Sequence, residues 1–299
     1  MARSKENLTE TDKKRSPYIG GVFYHEKNKL LKPFLDKKKQ WLYIKNMDNN
    51  KFITSRQNKI IKTAFSLKTR KGREKEGMFI LEGKRLISEI PEDTQTLYTI
   101  SSLSYADENA DIIIPDKLFA EISETVNPQG IMCICKIARK SFDIKTLPPS
   151  PLVVILENVT DPGNMGTIIR TADAAGADAL ILSKGCTDIY SPKVVRSTMG
   201  SLFHIPIYTG ADIEETLTLL RQNNISTLAA DLSATQTPYD ADMTKGCAIV
   251  IGNEANGLKK ETSAMCEKKI KIPMPGKAES MNAAVAAAIL IYEAVRQRS

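Results

Sequence analysis

No run in this chain approaches the ~18 consecutive apolar residues of a membrane span. Residues 1–15, MARSKENLTETDKKR, also lack the apolar segment of a signal peptide. The expectation is a cytoplasmic protein that stays out of membranes. Cysteine is scarce and unpatterned: Cys133, Cys135, Cys186, Cys247 and Cys266 form no C-x-x-C pair with a second pair, or with histidines at ligand spacing. That argues against a metal site or a disulfide framework. The thiols read as reduced and structural, with Cys133 and Cys135 on one face of a strand. Only two histidines are present, His25 and His204, so the commonest general base is nearly missing. His25 carries no partner pattern, and His204, just ahead of a strand, reads as structural. No G-x-x-x-x-G-K-[ST] loop exists to cradle nucleotide phosphates, and there is no internal repeat.

What the chain does have is charge, unevenly spread. Of 42 Lys+Arg and 35 Asp+Glu, the first 77 residues hold 21 and 8, a net of +13, and the remainder a net of −6. A basic end suits a nucleic acid or another anionic surface, because neutralising phosphates releases counterions without reading sequence; it also suits a solubilising arm. Residues 1–50 show no sustained periodicity and interleave lysines with Tyr18, Phe23, Tyr24, Phe34, Trp41 and Tyr43. Such aromatics either stack on unpaired bases or anchor the segment on its neighbour.

The 299 residues, 42% apolar and 26% charged, suffice for two globular domains. The expected division is a basic extension over 1–50, a small α/β domain over 51–140, a linker over 141–150 and a second domain over 151–299. In the small domain, apolar positions 60, 61, 64, 65 and 67 fit one helix face, with Ser55 as N-cap. Residues 68–75 read as a basic loop, and 78–81 as a strand. The segment 141–151, SFDIKTLPPSP, has three prolines and no periodicity, which marks a linker. After it, strands (152–156, 179–182, 205–208, 226–230, 248–251, 269–272) alternate with helices (164–175, 192–203, 213–222, 282–298). That alternation predicts a mainly parallel sheet covered on both faces.

In such a sheet, ligand groups gather at the carboxyl ends of strands. Three strands there run into polar, glycine-containing loops: NVTDPGNMG from 158, GNEANGL from 252 and PMPGKAESMN from 273. The first continues into a helix carrying Arg170; in the third, Ser280 or Asn282 can cap the final helix. The small residues of that helix suit either a core or a subunit interface.

These loops resemble the motifs of the SpoU (TrmH) family of RNA ribose 2'-O-methyltransferases, in the SPOUT superfamily. The matches are N-x-x-D-P-x-N-x-G-x-x-x-R at 158–170, I-G-N-E-x-x-G at 251–257 and I-P-M-x-G-x-x-x-S-x-N at 272–282, with a further likeness over 191–207. Residues 52–140 are similar, more weakly, to the family's ribosomal-protein-like substrate-binding domain. The resemblance implies a trefoil-knotted C-terminal domain that binds S-adenosylmethionine, and a homodimer with active sites completed across its interface. It assigns cofactor contacts to Gly252, Ile272 and Met281, and RNA and catalysis to Asn164, Arg170, Glu254, Ser280 and Asn282. Met281 stands where leucine is usual, and Ala283 and Ala284 replace the usual Val-Ser, removing a hydroxyl after Asn282. The family gives the proton-removing step to the arginine matching Arg170; since a guanidinium is hard to deprotonate, orienting phosphate and hydroxyl is the safer physical role. Large-subunit (23S) rRNA is the first expected substrate and tRNA the second. A non-catalytic RNA-binding or ribosome-assembly protein of the same fold is the alternative.

Overall fold

Two β-sheets built from successive halves of the sequence share a common core. The structure, a computed structural model, describes residues 51–138 and 141–299. The basic extension and its aromatics lie outside the described residues.

The first half opens with helix α1 (Lys59–Ser66), capped by Asn58, whose side chain accepts from the Ile60 N–H at 2.8 Å. Ser55, the expected cap, instead accepts from Gln57 N. A second helix, α2 (Arg70–Glu76), occupies the stretch read as a basic loop. It has no apolar stripe, since its only buried positions are Gly72 and Arg73. Thr69 caps it through Gly72 N, and Gly77 closes it in the left-handed region. Strands β1 (Met78–Glu82), β2 (Thr96–Ser102), β3 (Ile112–Ile114) and β4 (Ile131–Lys136), with helices α3 (Lys84–Ile87) and α4 (Asp116–Ile122), complete this half. The sheet order is β1-β4-β2-β3, antiparallel except for β2 with β3. One of its faces, with Met132 and Ile134, packs on α1 and α4. The other, with Phe79, Leu81, Cys133 and Cys135, joins the core of the second half.

The second half has strands β5 (Leu152–Leu156), β6 (Ala179–Ser183), β7 (Ile207–Ala211), β8 (Ser226–Ala230), β9 (Cys247–Ile251) and β10 (Lys268–Ile270). They form one sheet in the order β10-β8-β9-β5-β6-β7, and every pairing is parallel. Helices α5 (Pro162–Ala174), α6 (Pro192–Thr198), α7 (Ile213–Gln222), α8 (Lys260–Met265) and α9 (Ala283–Arg298) cover it. Central strands alternate between two cores. Val154, Leu156, Ile249 and Ile251 face α5 and α9, whereas Val153, Ile155, Ala248 and Val250 face α7. Both faces being buried explains why these strands read as unbroken apolar runs.

Other elements of the second half differ from the sequence expectation in their bounds. The helix expected over 192–203 stops at Thr198, because Met199 and Gly200 take positive φ values of 53° and 106° before a short 3-10 turn, Ser201–Phe203. The strand expected over 205–208 starts two residues later, and α8 had no counterpart in the sequence reading. In the segment read as a linker, Phe142, Ile144 and Leu147 pack against the α7-side core. All five cysteines are free and buried. Burial pushes the Cys266 thiol up to about 11. No helix among the described residues is long and apolar enough to cross a membrane.

Candidate functional site

The loops after β5, β9 and β10 meet at the carboxyl edge of the parallel sheet. Helix α5 begins where sequence rules place a start: Asp161 is the N-cap, accepting from Asn164 N at 2.7 Å, and Pro162 occupies the first turn. Asn158 is held at φ +55°. Its N–H donates to Ser183 Oγ at 2.9 Å, and a Cβ on Gly185 would lie 1.8 Å from its side-chain oxygen. The turn is thus clamped from β6. The second loop folds back on itself through reciprocal Asn253 and Gly257 backbone bonds, both 2.9 Å. A Cβ on Gly252 would lie 2.2 Å from the Gly257 carbonyl carbon and from Leu258 N.

Glu254 projects from this second loop into the first. It accepts from Asp161 N (3.0 Å), from Asn164 Nδ2 (3.1 Å) and from the N–H and hydroxyl of Thr160 (3.3 Å each). Burial pushes its carboxyl up, but hydrogen bonds from its own backbone, Asn164, Asp161 and Thr160 outweigh that and hold it below the ordinary range. Asn164 Oδ1 in turn accepts from Asn282 Nδ2 at 2.9 Å. Asn282 Oδ1 caps α9, accepting from Ala284 N (2.9 Å) and Val285 N (3.2 Å).

The direction of this chain is forced. A helix N-terminus offers only donors, so Asn282 must turn its oxygen to α9 and its amide nitrogen to Asn164. Asn164 must then answer with its oxygen and send its own nitrogen to a group that only accepts, the ionised Glu254. One residue from each loop is fixed by the other two.

Beside the chain lies a cleft of about 770 Å³, lined among others by Gly252, Glu254, Ile272, Ser280 and Met281. Met274 and Leu290 add apolar wall, and Asp231 also lines the cleft. This size and mixture suit a small-molecule ligand. The eight expected site residues therefore divide. Asn164, Glu254 and Asn282 form one hydrogen-bonded unit. Gly252, Ile272 and Met281 line the cleft, as does exposed Ser280, which bonds to no described residue. Arg170 stands apart: it is exposed, joins no ion pair or hydrogen bond among the described residues and does not line the cleft. Six residues beyond Asn164, it sits roughly 9 Å along α5 and a third of a turn round it.

Sequence reasoning gave no site role to Thr160, Asp161, Asn253 or Glu157. Asn253 Nδ2 ties the second loop to the Asn158 carbonyl at 2.8 Å. Glu157, nearly sealed from solvent, accepts from Lys259 N (2.9 Å) and Thr262 Oγ1 (2.7 Å) and so anchors the loop's far end. A charged residue directly after the apolar run LVVIL was the available signal. His204 bridges Asp173 (3.1 Å) and Glu89 (3.5 Å), outside the cleft.

Comparison with known proteins bears on this arrangement. Residues 151–292 match the model of the SpoU rRNA Methylase family, and residues 58–133 that of an MRM3-like substrate binding domain. The chain is 30% identical over 249 residues to the Bacillus subtilis 23S rRNA (guanosine(2553)-2'-O)-methyltransferase RlmP, covering 81% of this chain and 98% of that protein. An AdoMet-bound rRNA methyltransferase from Sinorhizobium meliloti superposes with a TM-score of 0.72 at 31% identity, covering 82% of this chain and 97% of that one. The SpoU methyltransferase AviRb from Streptomyces viridochromogenes, in complex with AdoMet, gives 0.72 at 29% identity, with 81% and 98% covered.

Proposed function

Because this chain belongs to the SpoU family of AdoMet-dependent rRNA 2'-O-methyltransferases, we propose that it methylates a ribose 2'-hydroxyl of large-subunit (23S) rRNA in the cytoplasm. The observation that carries this reading is the polarised chain Glu254–Asn164–Asn282 at the edge of a cofactor-sized cleft. S-adenosylmethionine, when bound, supplies a methyl group on a positively charged sulfur. Displacement at that carbon is in line, so alignment is the main demand on the protein.

The cleft suits the cofactor. Ile272, Met281 and Leu290 offer apolar surface, and Gly252 lets the second loop fold tightly against Gly257 and Leu258 beside it. Glu254 and Asn164 spend their hydrogen-bonding capacity on each other, on Asp161 and on Asn282, so within one copy they do not grip Arg170. Their role is to hold three loops at one spacing. A carboxyl held below its ordinary range is a poor proton acceptor at neutral pH, which argues against Glu254 as general base. Ser280 keeps its hydroxyl for ribose or phosphate. Arg170, with no partner among the described residues, orients phosphate and the 2'-hydroxyl.

This assignment goes with a homodimer in which Arg170 serves the cleft of a second copy. In its support, Val285 and Tyr292, two turns apart on α9, are each about half exposed and available to a second copy. The family likeness also implies a trefoil knot. In its support, the last segment before α9 runs beside the folded-back second loop and ends on Asn164.

Incubating the protein with labelled S-adenosylmethionine and 23S rRNA tests the reading, with ribose-methylated RNA as the expected product. Binding without transfer would return the protein to a structural role in ribosome assembly. Transfer to tRNA alone would move the substrate.

A further inference from the structure

One arginine of the most basic stretch does not face solvent. Arg70, Lys71 and Lys75 on α2 are exposed, but Arg73 is only 4% exposed. Its Nε donates to Asp188 Oδ2 at 2.7 Å, and a terminal nitrogen donates to the Leu67 carbonyl at 2.7 Å. Asp188 belongs to the loop between β6 and α6, 115 residues away in sequence. Its other oxygen accepts from Tyr190 N at 2.9 Å, and the Tyr190 ring packs on Phe79 of β1 with centroids 4.8 Å apart.

The same loop braces the first site segment. Thr187 N donates to the Val159 carbonyl (2.9 Å), Cys186 Sγ to the Leu156 carbonyl (3.3 Å), and Ser183 Oγ accepts from Asn158 N. Thr160 and Asp161, whose N–H groups bond Glu254, follow directly. A short run of bonded residues therefore joins α2 to the polar chain of the site.

We infer that Arg73 and Asp188 are positioning residues for methyl transfer, fixing the first domain to the loop that shapes residues 158–161, so that RNA held by the first domain reaches the site in one register. The inference rests on the proposed methyltransferase function. Apolar packing such as Phe79 on Tyr190 tolerates sliding, whereas a guanidinium bound to both a carboxylate and a carbonyl does not. Stability alone does not account for the pair, because replacing buried ion pairs by apolar residues is often neutral or stabilising. What the pair adds is orientation. The run of bonded residues supplies a contiguous route from Arg73 to Glu254.

The test uses full-length Asp188→Asn, Arg73→Gln and the double variant. Filter binding gives the Kd for 23S rRNA, calorimetry the Kd for S-adenosylmethionine, and labelled transfer gives kcat. Both Kd values are expected within about two-fold of wild type while kcat falls at least ten-fold, with the double variant no worse than the worse single one. Should Arg73→Gln fail to fold, the near-isosteric Asp188→Asn carries the test by the same criteria. Unchanged kcat would overturn the inference, and so would a loss residing wholly in RNA affinity, which would make Arg73 an RNA-binding residue. Wild-type protein that transfers nothing would overturn the enzymatic reading, and this one with it; an active wild type with unaltered variants overturns this one alone.

Discussion

At the scale of single residues, the site separates side chains that build geometry from those left free to act. Arg170 has no hydrogen-bond or ion-pair partner among the described residues, so removing it should leave the fold and the cleft intact. Arg170→Ala is expected to lower kcat by at least about 1,000-fold, as removal of a charged group that steadies the transition state can, with the Kd for S-adenosylmethionine unchanged in calorimetry. Near-normal turnover would end its assigned role. Glu254 is the opposite case, since it works only through its neighbours. Glutamine there would point its amide donors either at those of Asp161 and Asn164 or at those of Thr160 and Asn253, a mismatch costing about 1–3 kcal/mol. The sign of the pH effect follows from its depressed folded pKa: the ionised carboxylate's contribution is fully present above the ordinary value of 4.5 and is lost as pH falls through the lower folded value. The melting temperature of Glu254→Gln should therefore lie below wild type at neutral pH and converge on it well below pH 4.5. A gap that persists in acid would mean that altered packing, and not the charge, was responsible.

At the scale of elements, the folded-back second loop is the most constrained part of the site. Gly252→Ala sets a methyl group against backbone atoms of Gly257 and Leu258 that no rotamer can move aside. The loop must open, and the Kd for S-adenosylmethionine should rise at least about ten-fold, or 1.4 kcal/mol, in calorimetry. Affinity within two-fold would show that the loop adapts. How legible each element was follows from what it buries. Strands β5 and β9 are covered on both faces, so they appear as uninterrupted apolar runs, and Asp161–Pro162 announces the start of α5. Helix α2 escaped because it buries a glycine and an ion-paired arginine rather than an apolar stripe; Thr69 and Gly77 were its only marks. The three site loops were visible as polar interruptions. Their hydrogen-bond order was not, because it depends on Asn282 capping a helix 118 residues from Asn164, a distance that local pattern does not span. The docking of Arg73 on Asp188 was hidden for the same reason.

At the scale of the whole molecule, charge and assembly make separate predictions. Residues 1–50 carry 12 Lys+Arg against 6 Asp+Glu. If they meet RNA, deleting them should flatten the dependence of rRNA affinity on salt, by nearly one unit of slope for each phosphate they had neutralised; an unchanged slope would leave them a solubilising arm. Sedimentation should give twice the 33.1 kDa chain mass, and a monomer at micromolar concentration would contradict a site completed between copies. The bond from Asn282 to Asn164 also sets a time. A ribosome adds roughly 5–20 residues per second, so the second partner is made roughly 6–24 s after the first, and α9 must still dock before the loops can lock. Until then a nascent chain has its first sheet complete and its site loops untied. The tie that locks the three loops is thus among the last contacts the chain can make, and the carboxyl edge of the sheet takes its final shape only when α9 docks.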